Sequence, residues 1–175
     1  MVIERLKLTR ENNVSVSIRV AKKDDIGSIV RLLGELQTVH IIQGASETEK
    51  KYIQKKSNAA ELWKSAIERS LQNSSELLLV AEVDGDVIGY LKADIKQRSQ
   101  VHQQDKKIYI RFLIVSEKHR NHGIGTQLIK EVEKFAKAKN TPFITLKTSP
   151  KNKSTRDFYK SLGFEEIYVE MIKGV

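Results

Sequence analysis

The residues best equipped for chemistry lie in a short basic turn, Arg120-Asn121-His122-Gly123-Ile124-Gly125. An apolar run rich in β-branched and aromatic residues, Ile108 to Val115, precedes it and predicts a buried strand. After it, Ile124, Leu128, Val132 and Phe135 recur at helical spacing, which predicts an amphipathic helix. Strand, glycine turn and helix together suit a phosphate group. The N–H groups of a first helical turn lack internal partners, and the helix dipole favours an anion beside them. Glycine lets the backbone come close to a ligand that a Cβ would hold away. The predicted anion-holding set is therefore the backbone of Asn121, His122, Gly123, Ile124, Gly125 and Thr126, with Arg120 adding charge. Two better-known phosphate loops do not fit. The Walker pattern needs lysine and a hydroxyl residue where this chain has Thr126 and Gln127, and the dinucleotide fingerprint needs a third glycine where it has Leu128. Taken alone, the turn also reads as an ordinary tight connection.

A second constellation follows: Asn152, the pair Phe158-Tyr159, and Leu162-Gly163-Phe164, with an apolar stretch, Phe143 to Thr148, between the two. Arg-x-x-Gly-x-Gly followed by this pattern resembles the GCN5-related N-acetyltransferases (the GNAT family). The resemblance is close from Leu77 to Val169 and holds only in outline before that. It implies an α/β (α+β) fold, with a mixed, mostly antiparallel central sheet of six to seven strands flanked by helices. One central strand pair is splayed. It also implies acetyl-CoA as cosubstrate, no metal, and direct attack by a primary amine in a ternary complex. Leu113, Ile114 and Val115 would then pair with the pantetheine arm, one N–H facing the thioester oxygen. Tyr159 would meet the cofactor and protonate the leaving thiolate; the other reading is that its ring packs while its hydroxyl reaches water. Asn152 would contact the pantetheine or cap the following helix, and Leu162 and Phe164 would be core. The acceptor, a small-molecule amine or a peptide amine, would be selected by Leu33 to Lys56 and by the loop Lys96 to Lys107.

The chain departs from the family where many relatives place a glutamate, about four residues before the position of Val115; here stands Arg111. An arginine is no base at neutral pH. Glu82, Asp94 or a water chain are the alternatives for that role. Glu117 stands where relatives often have proline and Asn121 where they often have glycine, although asparagine tolerates left-handed backbone. His119 and His122 read as exposed loop residues rather than proton carriers. A catalytically silent acyl-CoA-binding module is the competing function: the missing glutamate favours it, and Tyr159 and Asn152 oppose it.

Composition narrows the classes. The 175 residues suit one domain spanning 1–175, and an apolar share of 39% beside a charged share of 30% is that of a soluble globular chain. No stretch approaches the ~20 apolar residues of a membrane span, and the N-terminus lacks a signal-peptide core, so the expected location is cytoplasmic, without membrane partners. The absence of cysteine excludes disulfides and a thiol nucleophile. His40, His102, His119 and His122 show no metal-ligand spacing. The net charge of +9 falls wholly in residues 96–175, with 17 basic and 8 acidic residues against 14 of each in 1–95. That basic half suits a polyanion such as coenzyme A as well as a plain solvated surface. No zinc-finger or RNP-type pattern supports nucleic-acid binding. A homodimer is compatible with everything above.

The remaining elements follow from local patterns. Residues 1–13 read as a tail or an extra edge strand, and Val14, Val16, Ile18 and Val20 alternate as a half-buried strand. Asp24 or Asp25 can cap a helix with Ile26, Ile29, Val30, Leu33 and Leu36 on one face, fading near His40 to Gly44. Ser46 with Glu49, and Asn58 with Glu61, predict capped helices over Glu47–Lys56 and Ala59–Gln72, the second facing inward through Leu62, Trp63, Ala66, Ile67 and Leu71. Asp84-Gly85-Asp86 predicts a tight hairpin between Leu77–Val83 and Val87–Ile95. A short helix after Ser154 ends at Gly163, and Phe164 to Lys173 is expected to complete the sheet.

Overall fold

The structure is a computed structural model, and the residues it describes are 6–7, 15–39, 46–101 and 103–174, with only the backbone of 6–7 and 36–39. The hairpin is the frame. Strands β3 (Glu76–Val83) and β4 (Asp86–Gln97) join through Asp84 and Gly85, with φ of 49° and 91°. Two consecutive left-handed residues are what a two-residue turn needs to match the twist of the strands it joins. On one side β3 pairs antiparallel with β2 (Val16–Val20), and β2 with the two-residue β1 (Leu6–Lys7). On the other side β4 pairs antiparallel with β5 (Lys106–Val115), which pairs parallel with the two-residue β6 (Ile144–Thr145). The sheet order is β1-β2-β3-β4-β5-β6.

Two expectations are corrected here. Against the expected six to seven strands, the described residues give four of five residues or more, β2 to β5, with two-residue pairings at the edges. Phe164 to Lys173 forms no strand: Tyr168, Val169 and Met171 stand exposed, and Lys147 Nζ reaches Glu170 Oε1 at 2.6 Å without any backbone ladder. β6 is too short to template it. The strands also run further than expected, β4 to Gln97 and β5 from Lys106, into the predicted loop Lys96 to Lys107.

Alternation along the strands loads both faces. Helices α1 (Ile26–Val39) and α3 (Ala59–Leu71) cover one face, burying Ile29, Leu32, Leu33 and Ile67 against Leu78, Val80, Tyr90 and Ile114. Helices α4 (Ile124–Ala138) and α5 (Lys153–Ser161) cover the other, where Ile124, Leu128, Val132, Phe135 and Tyr159 meet Leu77, Leu79, Leu91 and Ile108. Trp63 packs into the first cluster, as a core residue should, whereas Leu62 is exposed. The capping box at Ser46 forms at the start of α2 (Glu47–Ile53), but Asn58 makes no side-chain cap to α3. Asp25 acts from inside a 3₁₀ turn, Lys23–Asp25: its Oδ2 accepts from Lys22 N–H at 2.6 Å and its carboxylate holds Arg19. The predicted fade of α1 at His40 to Gly44, and most of residues 1–13, lie outside the described residues.

Candidate functional site

The glycine turn takes the shape the sequence asks for. Asn121 and Gly123 are left-handed, with φ of 65° and 72°, and Gly123 is the N-cap of α4. The first bond of the helix runs from Gln127 N–H to Gly123 C=O at 3.1 Å, so the N–H groups of Ile124, Gly125 and Thr126 have no partner within the helix. A Cβ built on Gly123 would meet nothing within 4 Å, so the space beside this backbone is open. Gly125 differs. Its Cβ would lie 3.1 Å from Phe158 Cζ, so any side chain here would press on the ring that packs α5 against α4.

Beside the turn, β5 keeps β4 on one side but, among the described residues, pairs with no strand on the other. Its register with β6 covers just Ile108↔Ile144 and Tyr109↔Thr145 and then stops, although β5 runs on to Val115. Ser116 N–H bonds to Ile88 C=O at 2.8 Å, so by strand alternation Ile114 faces β4 while Leu113 and Val115 turn their backbone groups to the open edge. This open stretch of β5 leads straight into the turn. Arg120 ties the two together through Nε–H to Val115 C=O at 3.1 Å.

The side chains sort as follows. Tyr159 lies buried between Phe158 and Phe164, with ring centroids 5.1 and 5.4 Å away in edge-on geometry. Burial pushes its phenol up to about 12. Asn152 Oδ1 accepts from Thr155 N–H at 3.1 Å, which makes it the cap of α5. Gly163, φ 83°, ends that helix: Gly163 N–H bonds to Lys160 C=O and Phe164 N–H to Tyr159 C=O. His122 is exposed as expected, whereas His119 is half-buried in the 3₁₀ turn Glu117–His119, its Nδ1 paired with Ser116 Oγ at 2.8 Å. Both carboxylates weighed as bases are engaged by cations. Glu82 Oε2 accepts from Arg19 Nε at 2.7 Å; Asp94 accepts from Arg111 Nε at 2.5 Å and sits 3.1 Å from Lys96 Nζ. Among the described residues, no group of three His, Asp or Glu side chains is placed to hold a metal ion.

Sequence reasoning missed how these groups connect. The Arg19–Asp25–Glu82 network joins residues 63 positions apart, and nothing in local patterning announces it. The same holds for Lys92, which bridges Ser70 Oγ (2.6 Å) and Glu76 Oε2 (2.7 Å) under α3. Phe158 was readable only as half of an aromatic pair.

The acetyltransferase (GNAT) family pattern matches residues 42–164. The chain belongs to that family. Among curated relatives, an uncharacterized N-acetyltransferase of Methanocaldococcus jannaschii is 28% identical over 90% of this chain and 63% of its own length. An N-alpha-acetyltransferase of Sulfurisphaera tokodaii is 33% identical over 57% of this chain and 62% of its own. The chain thus spans less than two thirds of the length of these two GNAT relatives. The thialysine N-epsilon-acetyltransferase of Bos taurus is 27% identical over 87% of this chain and 85% of its own length. In structure, the aminoglycoside N-acetyltransferase AAC(6')-Iy in complex with CoA superposes with a TM-score of 0.74 at 20% identity, covering 95% of this chain and 99% of that one. At that identity the likeness shows the fold. No described helix is long and apolar enough to cross a membrane.

Proposed function

We propose that this GNAT chain is an acetyl-CoA-dependent N-acetyltransferase acting on a primary amine by direct attack in a ternary complex. The observation that carries the reading is the continuity of two backbone surfaces without a strand or helix partner: the β5 edge at Leu113 and the Val115 N–H, and the N–H groups of Ile124, Gly125 and Thr126 at the start of α4. One is a template for an amide-bearing arm and the other for a pyrophosphate, joined in that order. Acetyl-CoA has both parts, and bound there it supplies the acetyl thioester.

The chain's own groups then divide the work. The turn at Asn121–Thr126 neutralises and fixes the phosphates, with open space beside Gly123. Arg120 locks the turn to the end of β5 while adding positive charge. A backbone N–H of the β5 edge offers a hydrogen bond to the thioester oxygen, which strengthens as that oxygen gains charge. Tyr159 keeps its proton throughout the neutral range because burial holds its phenol near 12. A thiol titrates at about 8.5, so complete transfer from this phenol to a thiolate is uphill. Tyr159 Oη–H therefore donates a hydrogen bond to the departing sulfur, and solvent completes the protonation. The Glu82 and Asp94 carboxylates are already engaged by Arg19 and Arg111, which leaves the amine's proton to water.

The test is a turnover screen with acetyl-CoA against polyamines, aminoglycosides, amino acids and peptide N-termini. Free thiol and N-acetylated product should appear in equal amounts with at least one amine class. Binding of acetyl-CoA without product from any of them would favour the silent acyl-CoA-binding module.

A further inference from the structure

The face of β4 and β5 opposite α4 carries a group of charges that acetyl-CoA binding does not use. The β5 register skips Arg111: Phe112 lies opposite Lys92 and Ile110 opposite Ala93, so Arg111 is the extra residue of a bulge. Bulges re-aim a side chain, and this one swings the guanidinium over Asp94. Asp94 is 4% exposed and accepts from Arg111 through Nε at 2.5 Å and Nη2 at 3.4 Å. The Tyr109 ring lies under the same guanidinium at 5.7 Å. Arg111 is thus held rigid along one edge, while its other edge, with Nη1, points away from Asp94 and its side chain stays 39% exposed.

The neighbours leave more positive than negative charge at this place. Lys96 Nζ sits 3.1 Å from the same carboxylate, and Lys96 lies directly opposite Lys107 in the β4–β5 register. Like charges directly opposite on a strand pair repel. Two cations, Arg111 and Lys96, therefore hold one buried carboxylate, and a third, Lys107, stands opposite Lys96, the group spanning about 13 Å of strand from Lys107 to Arg111. The position is also informative. Arg111 lies where β5 has just parted from β6, on the sheet face that carries Phe112 and α1 rather than the glycine turn.

We infer that Arg111, Lys96 and Lys107 form a carboxylate subsite for the acceptor, so that the amine acetylated here carries an acid group. It belongs either to a free amino acid or to the start of an acidic peptide. Arginine's planar fork matches a carboxylate in two-point contact, and the two lysines add charge along the approach. A polyamine or aminoglycoside, cationic throughout, meets repulsion at the same place. The inference rests on the acetyl-transfer reading and adds the class of substrate to it.

Two matched acceptor pairs test it with wild-type protein and acetyl-CoA. The first is lysine against lysine amide. The second is a C-terminally amidated tripeptide with two glutamates after its first residue, against its glutamine counterpart. A charge-assisted contact to carboxylate corresponds to about ten- to hundredfold in kcat/KM in favour of the acidic member, carried mostly by the acceptor KM. The first pair reports a free amino acid, the second an acidic peptide. Arg111→Gln should erase that ratio while leaving the affinity for acetyl-CoA, read by calorimetry, unchanged. Lys107→Gln, at a position opposite Lys96 rather than Asp94, should reduce the ratio in a protein of wild-type stability. Preference for the amides, or an undiminished ratio in both variants, overturns the subsite while leaving acetyl transfer standing. Failure to bind acetyl-CoA, or to acetylate any of the four, overturns it too; failure to bind acetyl-CoA also removes the reading beneath it.

Discussion

Tyr159 is wedged between two aromatic rings, so deleting its hydroxyl alone separates chemistry from packing. Tyr159→Phe should lower kcat about 10²-fold when chemistry limits the rate, and leave the KM for acetyl-CoA near wild type. An acyl donor with a more acidic thiol should regain part of the loss, because that leaving group needs the hydrogen bond less. Steady-state rates with both donors check this; unchanged kcat would assign Tyr159 to the core alone. Gly125 makes a different point. From sequence, its missing side chain belongs to the phosphate. In the structure the space is already taken by Phe158, 3.1 Å from where a Cβ would sit. Gly125→Val should therefore cost about 1–3 kcal/mol of stability by overpacking, together with cofactor binding. Urea denaturation of the variant reads that cost directly, and a wild-type midpoint would show that Phe158 moves aside freely.

At the scale of elements, helix α1 is fastened to the sheet by Arg19, which spans Asp25 on the helix side and Glu82 on β3. Burial raises the Asp25 carboxyl, but the Arg19 guanidinium and the Lys22 N–H outweigh it and hold it below its ordinary value. A carboxyl depressed in the folded state contributes stability above its unfolded pKa, near 4, and loses it as pH falls through the folded value. Arg19→Met leaves Asp25 buried against a single N–H and should cost about 3 kcal/mol at neutral pH. The stability of the variant should also fall less steeply between pH 5 and 2, as thermal melts across that range would show. Local signals sufficed for the hairpin turn, α4, the cap at Ser46 and the end of α5, because each depends on residues a few positions apart. They failed at Phe164 to Lys173, whose β-prone residues need a template that the two-residue β6 does not provide. They also failed at Arg111, where the departure from the family was plain but the bulge that aims it depends on cross-strand register. The turn and the aromatic pair were legible as separate motifs; their contact through Gly125 and Phe158 was not.

Across the whole molecule, two tyrosines set the alkaline limit. Burial raises both Tyr90, whose hydroxyl has no hydrogen-bond partner, and Tyr159, the latter to about 12. Groups raised in the folded state contribute stability that is complete below their unfolded pKa, near 10, and that is lost as pH rises above it. Unfolding free energy should therefore be level up to about pH 10 and fall beyond it, with Tyr159→Phe falling less steeply. The basic half of the chain acts at longer range, steering a polyanion toward the turn at Arg120.

Calorimetric titration of acetyl-CoA into wild type and Arg120→Ala, each at low and high salt, bears most directly on the central claim that this turn and the open edge of β5 hold the cofactor. The predicted result is one site per chain whose affinity weakens with salt, with Arg120→Ala weaker at low salt and the two proteins converging as screening increases. Absence of binding, or an affinity indifferent to both salt and Arg120, would contradict it.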